Sequence, residues 1–318
     1  MRALLIVNPN ATSTTPAARD LLAHALSSRV EVRVVTTTHR GHAAELARRA
    51  SLEGVRLIIV HGGDGTVNEV INGLLGAPEP DTMSAVTFGP TPLVAVVPGG
   101  SANVFARSLG IDADPVVATN QLIELLELRE RRRVGLGHCD GRWFTFNAGM
   151  GFDAQVCEAI DASRANGHAA TPSRYVRTAL RAFLRNRRLA PTLTVHTPGH
   201  EPVDGVHYAF VSNSSPWTYL NARPVRVNPE TAFETGLGVF AMRTTSVTTT
   251  LRLIRQMLTP GSQPKSRKLF RTDNVPRVRI VATAPIGLQL DGDYIGMRSE
   301  VEFVSVPDAL TVIAPSRA

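Results

Sequence analysis

The sequence predicts two domains of different class: an N-terminal doubly wound α/β domain and a C-terminal β-sandwich domain. Three observations predict this. Up to about residue 133, short apolar runs alternate with stretches of helical spacing, as in a mainly parallel sheet with helices on both faces. From residue 134 on, short alternating strands separated by Gly and Pro clusters dominate, the pattern of a sandwich or barrel. The chain is 318 residues long, and one core ordinarily serves about 150.

In order, Ala3 to Val7 is a buried strand. Thr15-Pro16 offers a cap and a first-turn proline, with Leu21, Leu22, Ala25 and Leu26 at helical spacing behind them. Val30 to Val35 alternates as a strand. Ala43 to Leu52 is a helix with Ala43, Leu46, Ala47 and Ala50 on one face. Val55 to Val60 is a second buried strand, Thr66 to Leu75 a helix and Leu93 to Val97 a strand. Ser101 is placed to cap the next helix, which ends near Leu109-Gly110, and Arg129 to Arg133 reads as a solvated helix end. In the second half, strands are expected at Phe144–Phe146, Leu193–His196, His207–Val211, Val239–Met242, Val278–Val281 and Ile286–Leu290. Helices interrupt them at Arg174–Arg188 and Val247–Leu258, and Asp161–Pro172 reads as a mobile loop.

Composition narrows the function classes. Hydrophobic residues make up 43% and charged residues 19%, which is incompatible with a disordered chain. A net charge of +7 suits an anionic partner without choosing one. Cys139 and Cys157 stand alone, without CxxC or Cys/His spacing, so they read as buried thiols rather than zinc ligands. His61 and His138 show no metal spacing and read as structural. The first apolar run stops at Asn8-Pro9, too early for a signal peptide, and no run of 18 apolar residues follows, so no transmembrane helix is expected.

Two loops carry the chemistry. His61-Gly62-Gly63-Asp64-Gly65-Thr66-Val67-Asn68-Glu69 follows a buried strand and opens a helix. Glycines let backbone N–H groups close on a ligand, and the helix N-terminus adds positive potential suited to phosphate. Asp64 among them can hold Mg²⁺ or accept a proton. An ordinary capped turn is the competing reading. Pro98-Gly99-Gly100-Ser101-Ala102-Asn103 repeats the arrangement at the next strand, and two such turns make one phosphate cleft. Neither fits GxxxxGK[ST] or GxGxxG.

The Gly62-Gly63-Asp64-Gly65-Thr66 run resembles the glycine-rich signature of the diacylglycerol kinase catalytic-domain family, which includes bacterial lipid kinases and the sphingosine and ceramide kinases and is related to NAD kinases. Asn8-Pro9, Thr37, the run Gly63 to Glu69, the second loop with Ser101 at a usual threonine, Phe146 to Ala154, and Leu290-Asp291-Gly292-Asp293 all match family segments. The resemblance implies an ATP-binding α/β domain over residues 1–133, completed by 304–318, and a β-rich lipid-substrate domain over 134–303. It implies transfer of the γ-phosphate of ATP to a lipid hydroxyl, with diacylglycerol as the acceptor, and Mg²⁺ as cofactor. The implied nucleotide residues are Asn8, Pro9, Thr37, Gly62, Gly63, Asp64, Gly65, Thr66, Asn68, Glu69, Gly99, Gly100, Ser101 and Asn103. Asp293 is the implied proton acceptor, alongside Asp64 as a catalytic and metal residue.

Three positions depart from the family. Asp293 replaces a glutamate, Val104 replaces an aspartate after Asn103, and neutral Thr235-Gly236 stands where bacterial members hold a structural Mg²⁺ at an Asp-Gly pair. Arg174 to Arg188 reads as a basic amphipathic helix that either packs its apolar face inward or meets an anionic bilayer at the lipid's way in. Trp217 and Tyr219 read as part of a packed loop, with a substrate contact as the alternative. The expectation is a cytoplasmic, peripherally membrane-associated enzyme acting on a lipid at an anionic surface, with no nucleic-acid partner; a homodimer is left open. An NAD kinase-like enzyme and a catalytically silent nucleotide- or lipid-binding regulator are the alternatives.

Overall fold

A computed structural model of the chain describes residues 1–79, 83–151, 154–159, 178, 181, 190–220 and 222–316. The helix expected at Arg174–Arg188 and the loop expected at Asp161–Pro172 lie outside the described residues, as do Phe152 and Asp153. Contacts divide the chain into two compact units, Met1–Leu136 with Val306–Ala318, and Gly137–Ser305. The sequence reading put these divisions at residues 133 and 304.

The first unit contains β1 (Arg2–Val7), α1 (Pro16–Ser27), β2 (Glu31–Thr36), α2 (His42–Leu52), β3 (Leu57–Gly62), α3 (Asp64–Leu74), β4 (Leu75–Pro78), β5 (Ala85–Thr87), β6 (Leu93–Pro98), α4 (Val104–Ser108) and α5 (Pro115–Leu128). Its parallel sheet runs β2-β1-β3-β6, and the returning chain adds Val312 beside Val94. Residues of β1 and β3 are buried along nearly their whole length, which is why they read as continuous apolar runs rather than alternating ones. Thr15 caps α1 by accepting from Ala18 N at 3.1 Å. Helix α1 packs with α5, and α2 with α3. Right-handed crossovers put these pairs on opposite faces, because β1→β2 and β2→β3 run in opposite directions across the sheet.

The α2–α3 contact depends on Gly73. A Cβ there would lie 2.2 Å from Ala44 O and 2.7 Å from Ala44 Cα. Ala normally gains about 1 kcal/mol over Gly inside a helix, but backbone cannot yield as a side-chain tip can. We expect Gly73→Ala to lower stability by about 1–3 kcal/mol through overpacking. A thermal melt at or above the wild-type midpoint would show that the helices are not this close.

Several elements differ from the reading, among them the strand expected at Phe144–Phe146, which breaks at Thr145 and Phe146 between strands Arg142–Phe144 and Asn147–Met150. The hairpin β4–β5 and the helix α5 were not foreseen, the latter because Asp112 to Pro115 breaks the pattern before it. Asp114 caps α5 by accepting from Val116 N and Val117 N at 2.8 and 3.1 Å. The charge run after it begins as the helix end, with exposed Arg129 as the C-cap of α5 at φ 57°, and passes into a strand already at Arg132.

The second unit is built from β7 (Arg132–Cys139, whose first residues belong to the first unit), β8 (Arg142–Phe144), β9 (Asn147–Met150), β10 (Leu193–His196), β11 (Val203–Val206), β12 (Tyr208–Ser212), β13 (Thr218–Leu220), β14 (Arg223–Val225), β15 (Leu237–Met242), α6 (Val247–Leu258), β16 (Leu269–Val275), β17 (Arg277–Leu290) and β18 (Asp293–Val312). Its antiparallel sheet runs β16-β15-β12-β9-β17-β18. The register of β17 shifts between Val281 and Ile286, so its first half pairs with β10 and its second with β9. That shift folds the sheet over one core, in which Val211, Val239 and Met150 meet Val195, Ile280 and Phe303. The sequence showed this strand as two, because Ala282 to Pro285 interrupts its alternation.

Neither cysteine is in a disulfide, and both are buried. Burial, reinforced by the negative charge of Asp140, pushes the Cys139 thiol up to about 12, so it is inert. No helix among the described residues is long and apolar enough to cross a membrane.

Candidate functional site

In the first unit three loops are knitted together at the carboxyl ends of β1, β3 and β6, where ligands bind in open parallel sheets. Asn8 N donates to His61 O at 2.9 Å, Gly99 N to Gly62 O at 2.9 Å, and Ser13 N to Gly99 O at 2.9 Å. Asn8 closes its own turn by accepting from Asn10 N at 3.0 Å and donates to Thr66 Oγ1 at 3.0 Å. His61 is buried between the loops. Its Nδ1 faces Val97 O at 3.2 Å, so the proton sits there and Nε2 accepts from Thr14 Oγ1 at 3.1 Å. Burial lowers its pKa and keeps the ring neutral.

The glycines are required by proximity. A Cβ on Gly100 would lie 2.6 Å from Gly63 Cα, and one on Gly99 would lie 3.1 Å from Gly62 N. No other residue allows the two loops to stack backbone on backbone. Gly65 and Ser101 are the exposed residues of the pair, beside the N-terminus of α3.

Asp64 has a different position from the one its motif suggests. Its Oδ2 accepts from Val104 N and its Oδ1 from Phe105 N, each at 3.0 Å. The carboxylate of the first loop therefore caps the helix of the second. Desolvation raises its pKa, and the N–H groups of Phe105 and Val104 oppose that by holding the ionised form. Ser101 is not the cap. The residue before α4 is Asn103, at φ 49°, and its side chain turns back on its own loop. It accepts from Gly100 N at 2.9 Å and donates to Gly100 O at 2.8 Å. Val104, the departure from the family's aspartate, is buried.

Several predicted contact residues do structural work. Glu69 accepts from Gly41 N at 2.9 Å and Ala43 N at 3.3 Å, capping α2. Asn68 is buried, and Asn72 donates to it. Thr37 follows β2, with its N–H on Val7 O at 2.9 Å, and Pro9 is exposed. Each Asp64 oxygen already accepts one backbone N–H, and no second acidic or His/Cys ligand pair joins it among the described residues. The Thr235 hydroxyl accepts from Ala232 N at 3.0 Å and lies 2.9 and 3.0 Å from the carbonyls of Ala232 and Gly236.

In the second unit, Asp291 and Gly292 have φ 49° and 84°, and Leu290 pairs with Asp293. This is a two-residue hairpin turn with both central residues left-handed, the geometry Asp-Gly favours. The Asp291 carboxylate points inward and is saturated: Thr145 N at 2.7 Å, Thr145 Oγ1 at 2.8 Å, Phe146 N at 3.0 Å and Asn147 N at 3.1 Å all donate to it. A buried amide relay supports it, with Gly292 N donating to Gln289 Oε1, Gln289 Nε2 to Asn147 Oδ1, and Asn147 Nδ2 to Trp217 O. The turn thereby fixes Asp293 at the start of β18, with its side chain 26% exposed and Arg142 Nη2 at 3.9 Å. Asp291 is the positioning residue that sequence reasoning passed over, although it sat in the same motif. Trp217 packs on Phe210 with ring centroids 5.0 Å apart, and His138 on Trp143 at 5.1 Å.

Burial pushes Asp291 up to about 6 against those hydrogen bonds. An unfolded aspartate releases its proton near about 4. The folded state then binds more protons between these values, so this group's stabilising share is complete below about 4 and is lost as pH rises through about 6. Asp291→Asn should flatten that fall, measured as the difference in urea midpoint between variant and wild type across this window. Parallel curves would mean that Asp291 does not titrate there.

Comparison with known proteins places the chain beside diacylglycerol kinases. Residues 2–138 match the diacylglycerol kinase catalytic domain. A diacylglycerol kinase of Bacillus subtilis is 35% identical over 155 residues, 47% of this chain and 46% of that protein. One from Staphylococcus carnosus is 32% identical over 114 residues, 36% of this chain and 32% of that protein. The aligned stretches thus span less than half of either relative. A diacylglycerol kinase structure from Bacillus anthracis superposes with a TM-score of 0.71 over 99% of this chain and 97% of that one, at 18% identity, a likeness of fold.

Proposed function

We propose, from the match of residues 2–138 to the diacylglycerol kinase catalytic domain, that this chain transfers the γ-phosphate of ATP to a lipid hydroxyl, with diacylglycerol as acceptor and phosphatidic acid as product. The observation that carries the reading is the pair of glycine turns stacked backbone on backbone and locked by Asp64. Such a pair offers N–H groups and the N-terminus of α3 to the phosphates of a nucleotide, at positions where a side chain would block approach. Asn8, Thr66 and His61 hold the turns in register, so their contribution to ATP binding is rigidity rather than contact.

Asp293 is the proposed proton acceptor. As the lipid oxygen attacks the γ-phosphorus and the bond to the β-phosphate oxygen breaks, the hydroxyl proton passes to the Asp293 carboxylate, and ADP leaves. Arg142 Nη2 lies 3.9 Å from that carboxylate. A divalent metal in this reaction class neutralises phosphate charge; no side chain of this chain is assigned to it.

The test is transfer of labelled γ-phosphate from ATP to diacylglycerol, sphingosine, ceramide and NAD, with the lipids in anionic mixed micelles. Label in phosphatidic acid is expected. Label in NAD alone would replace the reading with that of an NAD kinase, and ATP binding with no transfer to any acceptor would make the chain a silent regulator.

A further inference from the structure

We infer that the exposed face of α6 is an interfacial docking surface for an anionic lipid bilayer. Among the described residues, α6 packs on the core through one flank. Leu253 is buried and Met257 packs with it on a cluster containing Phe210, Phe240 and Met242. Val247, Leu251, Ile254 and Leu258 fall within about 60° of one another around the axis, on a separate flank. Val247, Leu251 and Ile254 are 36, 60 and 42% exposed. An apolar stripe beside the buried one, on a helix attached to a folded core, suits partial burial in a bilayer interface.

Charge complementarity selects the occupant. Between Thr235 and Thr272 the chain has seven basic residues and no acidic one, which equals the +7 excess of the whole molecule. Both lysines of the protein, Lys265 and Lys268, are among them. Arg252 and Arg255 border the apolar stripe, and both are exposed, as are Lys265, Arg267 and Lys268. The loop carrying these last three is clipped back onto α6, since Lys265 N donates to Gln256 Oε1 at 2.7 Å. Exposed cations around an apolar ridge attract anionic headgroups and then let the ridge enter. A second copy of the chain would bring the same positive field against itself.

The surface also has a connection to the chemistry proposed above, on which its biological meaning rests. The cluster under α6 includes Trp217, and Trp217 O is held by Asn147, whose own N–H binds Asp291 in the Asp293 hairpin. Docking through α6 would present the acceptor-side hairpin of this unit to a lipid surface.

The test is co-sedimentation of the full chain with vesicles of phosphatidylcholine, with and without phosphatidylglycerol. Wild type should bind the anionic vesicles, and Leu251→Glu/Ile254→Glu should weaken that binding about tenfold or more, as should Arg252→Glu/Arg255→Glu. Both variants should keep the wild-type melting temperature. Phosphorylation of a short-chain, monomeric diacylglycerol should also be unchanged, which separates this inference from the kinase reading: vesicle binding can hold where transfer fails, and the reverse. Unchanged vesicle binding by Leu251→Glu/Ile254→Glu would overturn it. So would a lowered melting temperature, meaning another part of the chain covers the stripe, or a dimer that this variant splits.

Discussion

Asp293→Asn is expected to lower turnover of a lipid acceptor by about 10²- to 10⁴-fold, the range for removing a general base, with little change in KM for ATP. The amide keeps the size of the side chain but cannot take the hydroxyl proton. The hairpin should survive, because its geometry is set by Asp291 and Gly292 and not by Asp293. Wild-type circular dichroism and ATP binding with lost transfer is the expected combination. Asp293→Glu restores the family's residue and should retain activity. Retained turnover in Asp293→Asn would remove Asp293 from the chemistry.

Asp64→Asn should act on the nucleotide rather than on the proton. One amide oxygen can accept from Val104 N or Phe105 N but not from both, and its NH₂ group faces the other donor. A hydrogen bond to a charged group contributes about 1.5–3 kcal/mol, so the second loop loses much of what orders it. KM for ATP should rise by about tenfold to a hundredfold, converting that energy at about 1.4 kcal/mol per decade, and ATP should no longer raise the melting temperature. The split between KM and kcat separates this role from the alternative. If Asp64 were the base, turnover at saturating ATP would collapse with ATP binding intact. Full activity in the variant would show that the lock is dispensable.

Much of the first unit was legible because β1, β3 and β6 are buried along nearly their whole length and the helices show one apolar stripe each. Val247–Leu258 was read with its final boundaries because Thr244, Thr245 and Ser246 precede it and Thr259-Pro260 ends it. The α5 helix and the unbroken β17 were not read, since local breaks in pattern there are overridden by pairing and packing. The site was legible as motifs and illegible as partnerships. Asp64 looked like a ligand because an acidic residue in a glycine loop is ambiguous until its oxygens find donors 40 and 41 residues away. Asn68 and Glu69 were implied as nucleotide contacts by the family resemblance of their loop, and their hydrogen bonds to Asn72 and to the start of α2 appear only in the fold.

The sequence by itself determined the strand–helix alternation from β1 to α3, the two glycine turns and the Asp-Gly hairpin, because periodicity, glycine freedom and left-handed turn residues are local properties. Only the tertiary structure decided which carboxylate is spent on the scaffold and which remains accessible. That choice depends on hydrogen bonds and desolvation supplied by segments remote in the chain: Asp64 and Asp291 are saturated by backbone N–H groups, while Asp293, two residues from Asp291, keeps its side chain in reach of solvent. The same holds for α6, whose amphipathic pattern was readable but whose exposed stripe appeared only once Leu253 had taken the inward place.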